Sequence, residues 1–390
     1  MTSNQVHIES QSTDWLSGWE YRKRHTISGA SGAGTNYQIE INVHYGSGTD
    51  VGAHVYCGSE CRTDFGDIRF TDNDGSTLLD YWMETYSSSG SATFWVEVSD
   101  DLDTTQIIYV YYGNSQAVDV SDGDATFPFF DDFNDDSLDA SKWDEWHTGG
   151  TVIESGGVLS VQGGSSSWQS LGASEEFGHN HSFEMRAYGS SDSSNAIQFG
   201  ADERSSDGEA PGGYDSAYFD YYNGRFCTSR VNSVIETTPR TAPLDASAHW
   251  SIEFYSSQLR FYHDSVPIAT HTIQVPSTTM GLWVATLNSR IVFMDWAFTR
   301  KCIDNEPAHG DWDDMEIIET VSTTTTTTTS TISETTTTTD STTPSFTVPE
   351  TGSFALLLGL GVGGIIALVV IIIVIMQVRS RPSFGGFDYG

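Results

Sequence analysis

Basic charge is scarce in this chain. Lys+Arg number 17 against Asp+Glu 53, the formal net charge is -36, and lysine stands only at Lys23, Lys142 and Lys301. Such a surface repels phosphate backbones and anionic headgroups, which excludes nucleic acid as a partner and makes cations its natural companions. Cysteine is sparse too, with Cys57, Cys61, Cys227 and Cys302. An even set outside a cell favours two disulfides, Cys57 with Cys61 and Cys227 with Cys302, the other pairings remaining open. One CxxxC with no second pair at ligand spacing is a poor zinc site. Catalytic signatures are missing: there is no Gly-x-Ser-x-Gly elbow, no His-Glu-x-x-His helix and no phosphate loop. His179, His181, His249, His263 and His271 are scattered over expected hairpins, a pattern of surface residues rather than a ligand cluster. Residues 1–14 have neither an apolar h-region nor a basic n-region, so they read as a disordered N-terminus and not as a secretory signal.

Long apolar runs are absent except at one place, residues 354–376, where no charge interrupts the sequence. At ~1.5 Å per residue this run is roughly 34 Å of helix, enough to cross the ~30 Å hydrocarbon core of a membrane. Arg379 and Arg381 follow it and Glu350 precedes it, which places the tail 379–390 in the cytoplasm and the bulk of the chain outside. A transmembrane helix over 354–378 is therefore expected. An exterior ectodomain requires a signal upstream of the displayed start; the rival arrangement is a C-terminal tail anchor with a cytoplasmic domain. Ala355, Gly359, Gly363 and Ala367 recur every four residues, a ridge that lets two such helices pair as a homodimer. Residues 305–353, acidic and then threonine-rich, cannot build a core and are expected to be an extended stalk.

The first 300 residues allow two domains of ordinary size. Their pattern is all-β: runs such as 37–43 (YQIEINV), 93–98 (TFWVEV) and 106–112 (QIIYVYY) alternate between Gly, Ser and Asp turns. Residues 64–84 read as strand, turn and strand, with Asp74-Gly75 supplying a tight hairpin. Asp67 and Arg69, two apart on an expected strand, share a face and read as a structural ion pair. Residues 214–226 (YDSAYFDYYNGRF) form an expected hairpin whose alternation sets Tyr218, Asp220 and Tyr222 on one face and Phe219 and Tyr221 on the other.

Two family resemblances fit this division. Trp19-x-Tyr21-Arg22-Lys23, Asp64-Phe65-x-Asp67-Ile68-Arg69-Phe70, Leu79-Asp80-Tyr81-Trp82 and Ile108-Tyr109-x-Tyr111-Tyr112-Gly113-Asn114 together resemble a domain of unknown function that recurs in prokaryotic surface proteins. It implies a surface module, here a β-sandwich over 15–122. The stretch 127–144 (FPFFDDFNDDSLDASKWD), the segments 250–254 and 259–269, and the closing 291–301 (IVFMDWAFTRK) resemble concanavalin A-like and laminin-G-like sandwiches, particularly the laminarinase and lichenase group. That likeness implies a jelly roll over 127–304. It also implies a structural calcium ion that ties the first strand to the last through Asp132, standing where those enzymes carry Glu, and Asp295. The catalytic Glu-x-Asp-x-Glu strand of that group is not found.

The resulting expectation is two β-sandwich domains in tandem on a stalk: a membrane-anchored binder or adhesin at the cell surface, meeting an extracellular glycan or surface protein. Flat aromatics beside a carboxylate suit sugar rings, so Trp168, Tyr218, Asp220, Tyr222 and Trp283 are the candidate glycan contacts. The competing reading of those rings is that they are core. Alternatives for the whole chain are an atypical or remnant glycoside hydrolase, or a purely structural envelope component. Asn180-His181-Ser182 is the candidate N-glycosylation acceptor.

Overall fold

The computed structural model describes residues 15–189, 196–203, 215–222, 224–244 and 246–318. All of these belong to one compact unit, Met1–Val321. The N-terminus 1–14, the threonine tract, the apolar run with Ala355, Gly359, Gly363 and Ala367, and the tail lie outside the described residues. Among the described residues, no helix is long and apolar enough to cross a membrane.

In chain order the first sandwich comprises β1 (Tyr21–Ser28), β2 (Tyr37–His44), β3 (His54–Tyr56), β4 (Arg69–Thr71), β5 (Tyr81–Tyr86), β6 (Ser91–Val98) and β7 (Gln106–Tyr112). A single turn of helix, α1 (Gly123–Thr126), capped by Asp122, leads to the second. That sandwich runs through β8 (Phe129–Asp131), β9 (Trp143–Thr148), β10 (Thr151–Glu154), β11 (Leu159–Gln162), β12 (Gln169–Ala173), β13 (His181–Gly189), β14 (Ile197–Asp202), β15 (Ser216–Asp220), β16 (Phe226–Val231), β17 (Val234–Pro239), β18 (Ala248–Phe254), β19 (Leu259–His263), β20 (Val266–His271), β21 (Gly281–Thr286) and β22 (Ile291–Lys301). Two short strands, β23 (Ala308–Trp312) and β24 (Glu316–Ile317), follow.

Four sheets result. Sheet I is β23-β1-β7-β4 with β24 on β1, and sheet II is β3-β2-β6-β5. Sheet III is β10-β11-β22-β13-β18-β19-β20 with β8 on β22, and sheet IV is β17-β16-β15-β14-β21-β12-β9. The chain passes repeatedly between sheets III and IV, as in a jelly roll. Period-two burial explains the layers: Tyr37, Ile39, Ile41 and Val43 of β2 all point into the first core, while Phe199 and Phe219 of sheet IV meet Trp250 of sheet III in the second.

Trp82 and Trp95 break the expected polar alternation, because they lie on the outer face of sheet II and are nonetheless buried. They pack with Phe127, Phe130, Trp296 and Phe298 in an aromatic cluster that joins the outer face of sheet II to that of sheet III. Phe127 stacks on Phe298 at 4.1 Å, and Trp82 meets Trp296 edge-on at 5.8 Å. Polar contacts ring the cluster. Arg186 pairs with Glu84 at 3.2 Å, Trp95 Nε1 donates to Glu84, and Lys301 N–H donates to Gln38 at 3.1 Å. Beneath the rim Glu184 is buried, holding Arg300 Nε at 2.9 Å and His249 Nε2 at 2.6 Å. The two sandwiches are thus fused face to face.

Several expectations need correction. Residues 305–318 are not stalk: β23 and β24 return to the first sandwich and pair antiparallel with β1, with Trp312 Nε1 donating to Gly52 at 2.9 Å. The alternating Ala308–Trp312 was masked by the acidic residues around it. The Asp74-Gly75 turn does close a short hairpin, with Thr71 opposite Leu78, Asp72 N–H donating to Thr77 O and Leu79 N–H to Phe70 O, but beyond it the arms part, β4 pairing with β7 and β5 with β6. Asp67 and Arg69 do not pair. Asp67 precedes the strand and accepts from the backbone N–H of Arg62, Gly113 and Asn114, while Arg69 donates to Ile68 O and Tyr81 Oη. Neither expected disulfide is formed: all four thiols are free and buried. Cys227 sits on β16 in sheet IV and Cys302 follows β22 in sheet III, positions that an even count does not reveal. Cys57 and Cys61 are hydrogen-bonded neighbours. His271 is not a surface residue either: buried, it bridges Ser229 at 2.8 Å and Thr238 at 3.0 Å, while half-buried His249 holds Glu184 at 2.6 Å.

Candidate functional site

The first sandwich covers the outer face of sheet III, so the outer face of sheet IV lies on the far side of the fused pair. Residues opposite one another in a sheet share a face. Thr228, Tyr218, Gly200 and Trp283 therefore form one row across β16, β15, β14 and β21. A second row holds Asp220, Gln198, Ala285 and Ser170, and a third Arg230, Ser216 and Asp202. Tyr218 and Trp283, on either side of Gly200 in the first row, meet edge-on 5.9 Å apart.

Tyr218 is 3% exposed and Trp283 2%, so these two expected sugar platforms form the floor of the face rather than its surface. Trp146 and Trp168 pack against them, half-buried. Tyr222 is 37% exposed and its ring lies 5.8 Å from that of Trp168. Asp220 accepts from Gln198 Nε2 at 3.3 Å and from Tyr222 N–H at 2.7 Å, and burial raises its pKa. Burial likewise pushes the Tyr218 phenol up to about 12, so it stays protonated at neutral pH. The structure thus brings Trp168, Tyr218, Asp220, Tyr222 and Trp283 to one face.

Sequence reasoning missed the polar members. Gln198 Oε1, Ser216 Oγ, Thr228 Oγ1 and Trp283 Nε1 are buried without a hydrogen-bond partner, all on this face. Buried polar atoms left unpaired cost about 1–3 kcal/mol each, and natural proteins keep them where something else pairs with them. The signal was present in Ile197–Asp202 (IQFGAD), where Gln198 and Asp202 alternate with core Ile197, Phe199 and Ala201.

β14 offers Gln198, Gly200 and Asp202 to the face. Asp220 lies opposite Gln198, and Asp202 is four residues further along. Those positions are about 13 Å apart at ~3.3 Å per residue. Retaining hydrolysis needs carboxylates about 5–5.5 Å apart and inverting hydrolysis about 6.5–9.5 Å.

The implied calcium ligands are directed apart. Asp132 leaves β8 on the edge of β22 shared with β11 and accepts from Asn134 at 2.6 Å. Asp295 occupies the bulge of β22 and accepts from Ser247, beside β18 and beyond β13. Among the described residues, no group of three or more His, Cys, Asp or Glu is arranged to hold a metal ion. Asn180 is exposed in a left-handed turn with φ 67, whereas Ser182 of its motif is buried in β13.

Carboxylates also crowd next to the 131–137 loop. Glu154 is 7% exposed, accepts from Ser137 N–H at 3.2 Å, and is pushed up to about 7, first by burial and then by the Asp135 carboxyl. A raised pKa means that the folded protein keeps a proton the unfolded chain releases. The stability it supports is full below the unfolded value and is lost as pH rises through 7. Glu154→Gln is expected to flatten this slope and to gain about 1 kcal/mol at pH 8, allowing for solvent screening, with little change at pH 5. Urea unfolding at the two pH values checks it.

A family model described as Domain of unknown function (DUF2341) matches residues 64–146. The matched stretch starts after the Trp19–Lys23 motif and runs past the first sandwich into β9. No curated protein matches the chain. Similar solved structures include a putative β-glucanase from Mycobacterium abscessus, 14% identical, covering 44% of this chain and 99% of that one with a TM-score of 0.36. A β-1,3-glucanase from Mycobacterium marinum is 13% identical over 44% of this chain and 98% of its own, with a TM-score of 0.35. A prokaryotic β-1,3-1,4-glucanase (lichenase) derived from a mouse hindgut metagenome is 10% identical over 45% and 99%, with a TM-score of 0.36.

Proposed function

We propose that this chain is a surface protein that binds glycan, without cleaving it, on the outer face of sheet IV. The observation that carries the reading is the set of unpartnered buried atoms, Gln198 Oε1, Ser216 Oγ, Thr228 Oγ1 and Trp283 Nε1, beside the Trp168 and Tyr222 rings. Donors and acceptors next to flat apolar surfaces match the hydroxyls and C–H faces of a sugar. The strand separation of Asp202 and Asp220 favours binding over hydrolysis. Membrane anchoring with the sandwiches outside is part of the same reading, supported by the apolar run 354–376, its flanking arginines and the small-residue ridge for helix pairing.

A glycan array, run with and without calcium, tests it, followed by titration calorimetry on the best ligand. Trp168→Ala and Gln198→Ala are each expected to weaken binding at least ~10-fold, which is ~1.4 kcal/mol, with the melting temperature nearly unchanged. Unchanged affinity in both variants removes the site. Release of reducing ends from β-glucans turns the reading to hydrolysis.

A further inference from the structure

Three histidines of the first sandwich meet a fourth, His309, where the strap β23–β24 lies on β1. His25 Nε2 and His309 Nδ1 are 2.9 Å apart, and the His25 ring stacks on Trp312 at 3.8 Å. His44 Nε2 and His54 Nδ1 are 3.0 Å apart, with His44 stacked on Tyr56 at 4.4 Å. His25 is fully buried, and its Nδ1 has no partner. One imidazole N–H donating to another imidazole nitrogen satisfies two neutral rings. Adding a proton to each ring turns both facing nitrogens into donors, breaks that bond and leaves charge in a buried place.

We propose that the strap is an acid-released clasp: protonation of the His25–His309 pair lifts β23 and β24 off β1 while both sandwich cores stay folded. In sequence the strap stands between the second sandwich and the threonine tract, so release frees the edge of sheet I and lengthens the connection beyond residue 304.

The groups around the pair do little to welcome charge. On β1, Lys23 is held by Asp50 at 2.6 Å and by Tyr56 O, and on β7 the residue opposite His25 is Ile108. From β2 and β3 come His44, His54 and Tyr56, and from β23 the Asp311 backbone. On the strap, Asp313 and Glu316 pair with Arg24 at 3.2 Å and Arg22 at 2.8 Å, contacts that oppose release until carboxylates protonate. Burial first, then His309, takes His25 down to about 3, and burial first, then His54, lowers His309. A depressed histidine pKa means that the docked strap binds fewer protons than the free one. Docking is therefore complete above ~6.5 and weakens as pH falls below it, by up to ~10-fold per pH unit for each histidine.

Hydrogen exchange of the whole chain at pH 7.5 and pH 5, corrected for intrinsic rates, tests this. Amides of 308–317 are expected to lose protection at least ~10-fold at pH 5, with those of β2, β6 and β13 unchanged. In His25→Gln and His309→Gln the strap is expected to be equally protected at both pH values. Unaltered strap protection in the wild type, or the same acid loss in both variants, overturns the proposal. Should the variants be undocked at both pH values, an NMR titration of the wild type decides: release that tracks the His25 and His309 resonances supports the clasp, and release confined to the carboxylate range near pH 4 overturns it.

Discussion

Glu184→Ala is expected to destabilise the protein by about 3–5 kcal/mol, the cost of stripping a buried charge of its partner. Glu184 lies on β13 at the centre of sheet III, with Arg300 at 2.9 Å on β22 and His249 at 2.6 Å on β18. Both partners stay behind in the variant. Arg300 keeps Glu306 at 3.1 Å, but His249 loses the carboxylate that holds its proton. In the wild type, burial opposes ionisation of Glu184, yet Arg300 and then His249 bring it down to about 2. That depressed value contributes stability that is present above the unfolded carboxylate pKa and is lost as pH falls through 2. His249 is raised by its bond to Glu184 against the effect of burial, so its share is full below ~6.5 and fades as pH rises through the folded value. Glu184→Ala is therefore expected to lower the urea midpoint at pH 6 strongly and to remove both limbs of the pH dependence. A loss under ~1 kcal/mol at pH 6 would show that the site relaxes or admits water.

Trp82→Ala is expected to cost about 3–5 kcal/mol and, more tellingly, to split unfolding into two transitions. The ring is the hub of the aromatic cluster between the sandwiches, edge-on to Phe127, Phe130, Trp296 and Phe298. Each sandwich keeps its own core when the ring goes, because none of the cluster belongs to either. What fails is the coupling. Differential scanning calorimetry of the wild type is expected to give one transition for the fused pair and that of the variant two; a single shifted peak would mean that Glu84–Arg186 and Gln38–Lys301 suffice to couple them.

Much of the layer structure was legible in advance, since short alternating runs such as YQIEINV have one way to bury their apolar face. Burial of Trp82 and Trp95 was not legible, because what covers them, Phe127, Phe130, Trp296 and Phe298, comes from the other sandwich. The Tyr218–Tyr222 alternation indicated which residues share a face but not how deeply they lie, because burial depends on neighbours such as Trp146 that arrive from another strand. Gln198, Ser216 and Thr228 carried no motif. Their meaning comes from being unpaired, and only packing can leave a hydroxyl or an amide unpaired.

By itself the sequence determined the class of the molecule: an acidic, all-β chain in two sandwiches, followed by a threonine tract and one apolar run, with no recognisable catalytic motif. Local rules suffice for that, because periodicity, turn chemistry and charge balance are properties of neighbouring residues. The tertiary structure decided how the sandwiches join, that residues 305–318 return to β1, and that His309 of the strap meets His25, with His44 and His54 beside them. Each of these is a contact between residues up to about 290 positions apart, such as His25 with His309. Such contacts are chosen by the packing of whole sheets and leave no trace in the spacing of either partner.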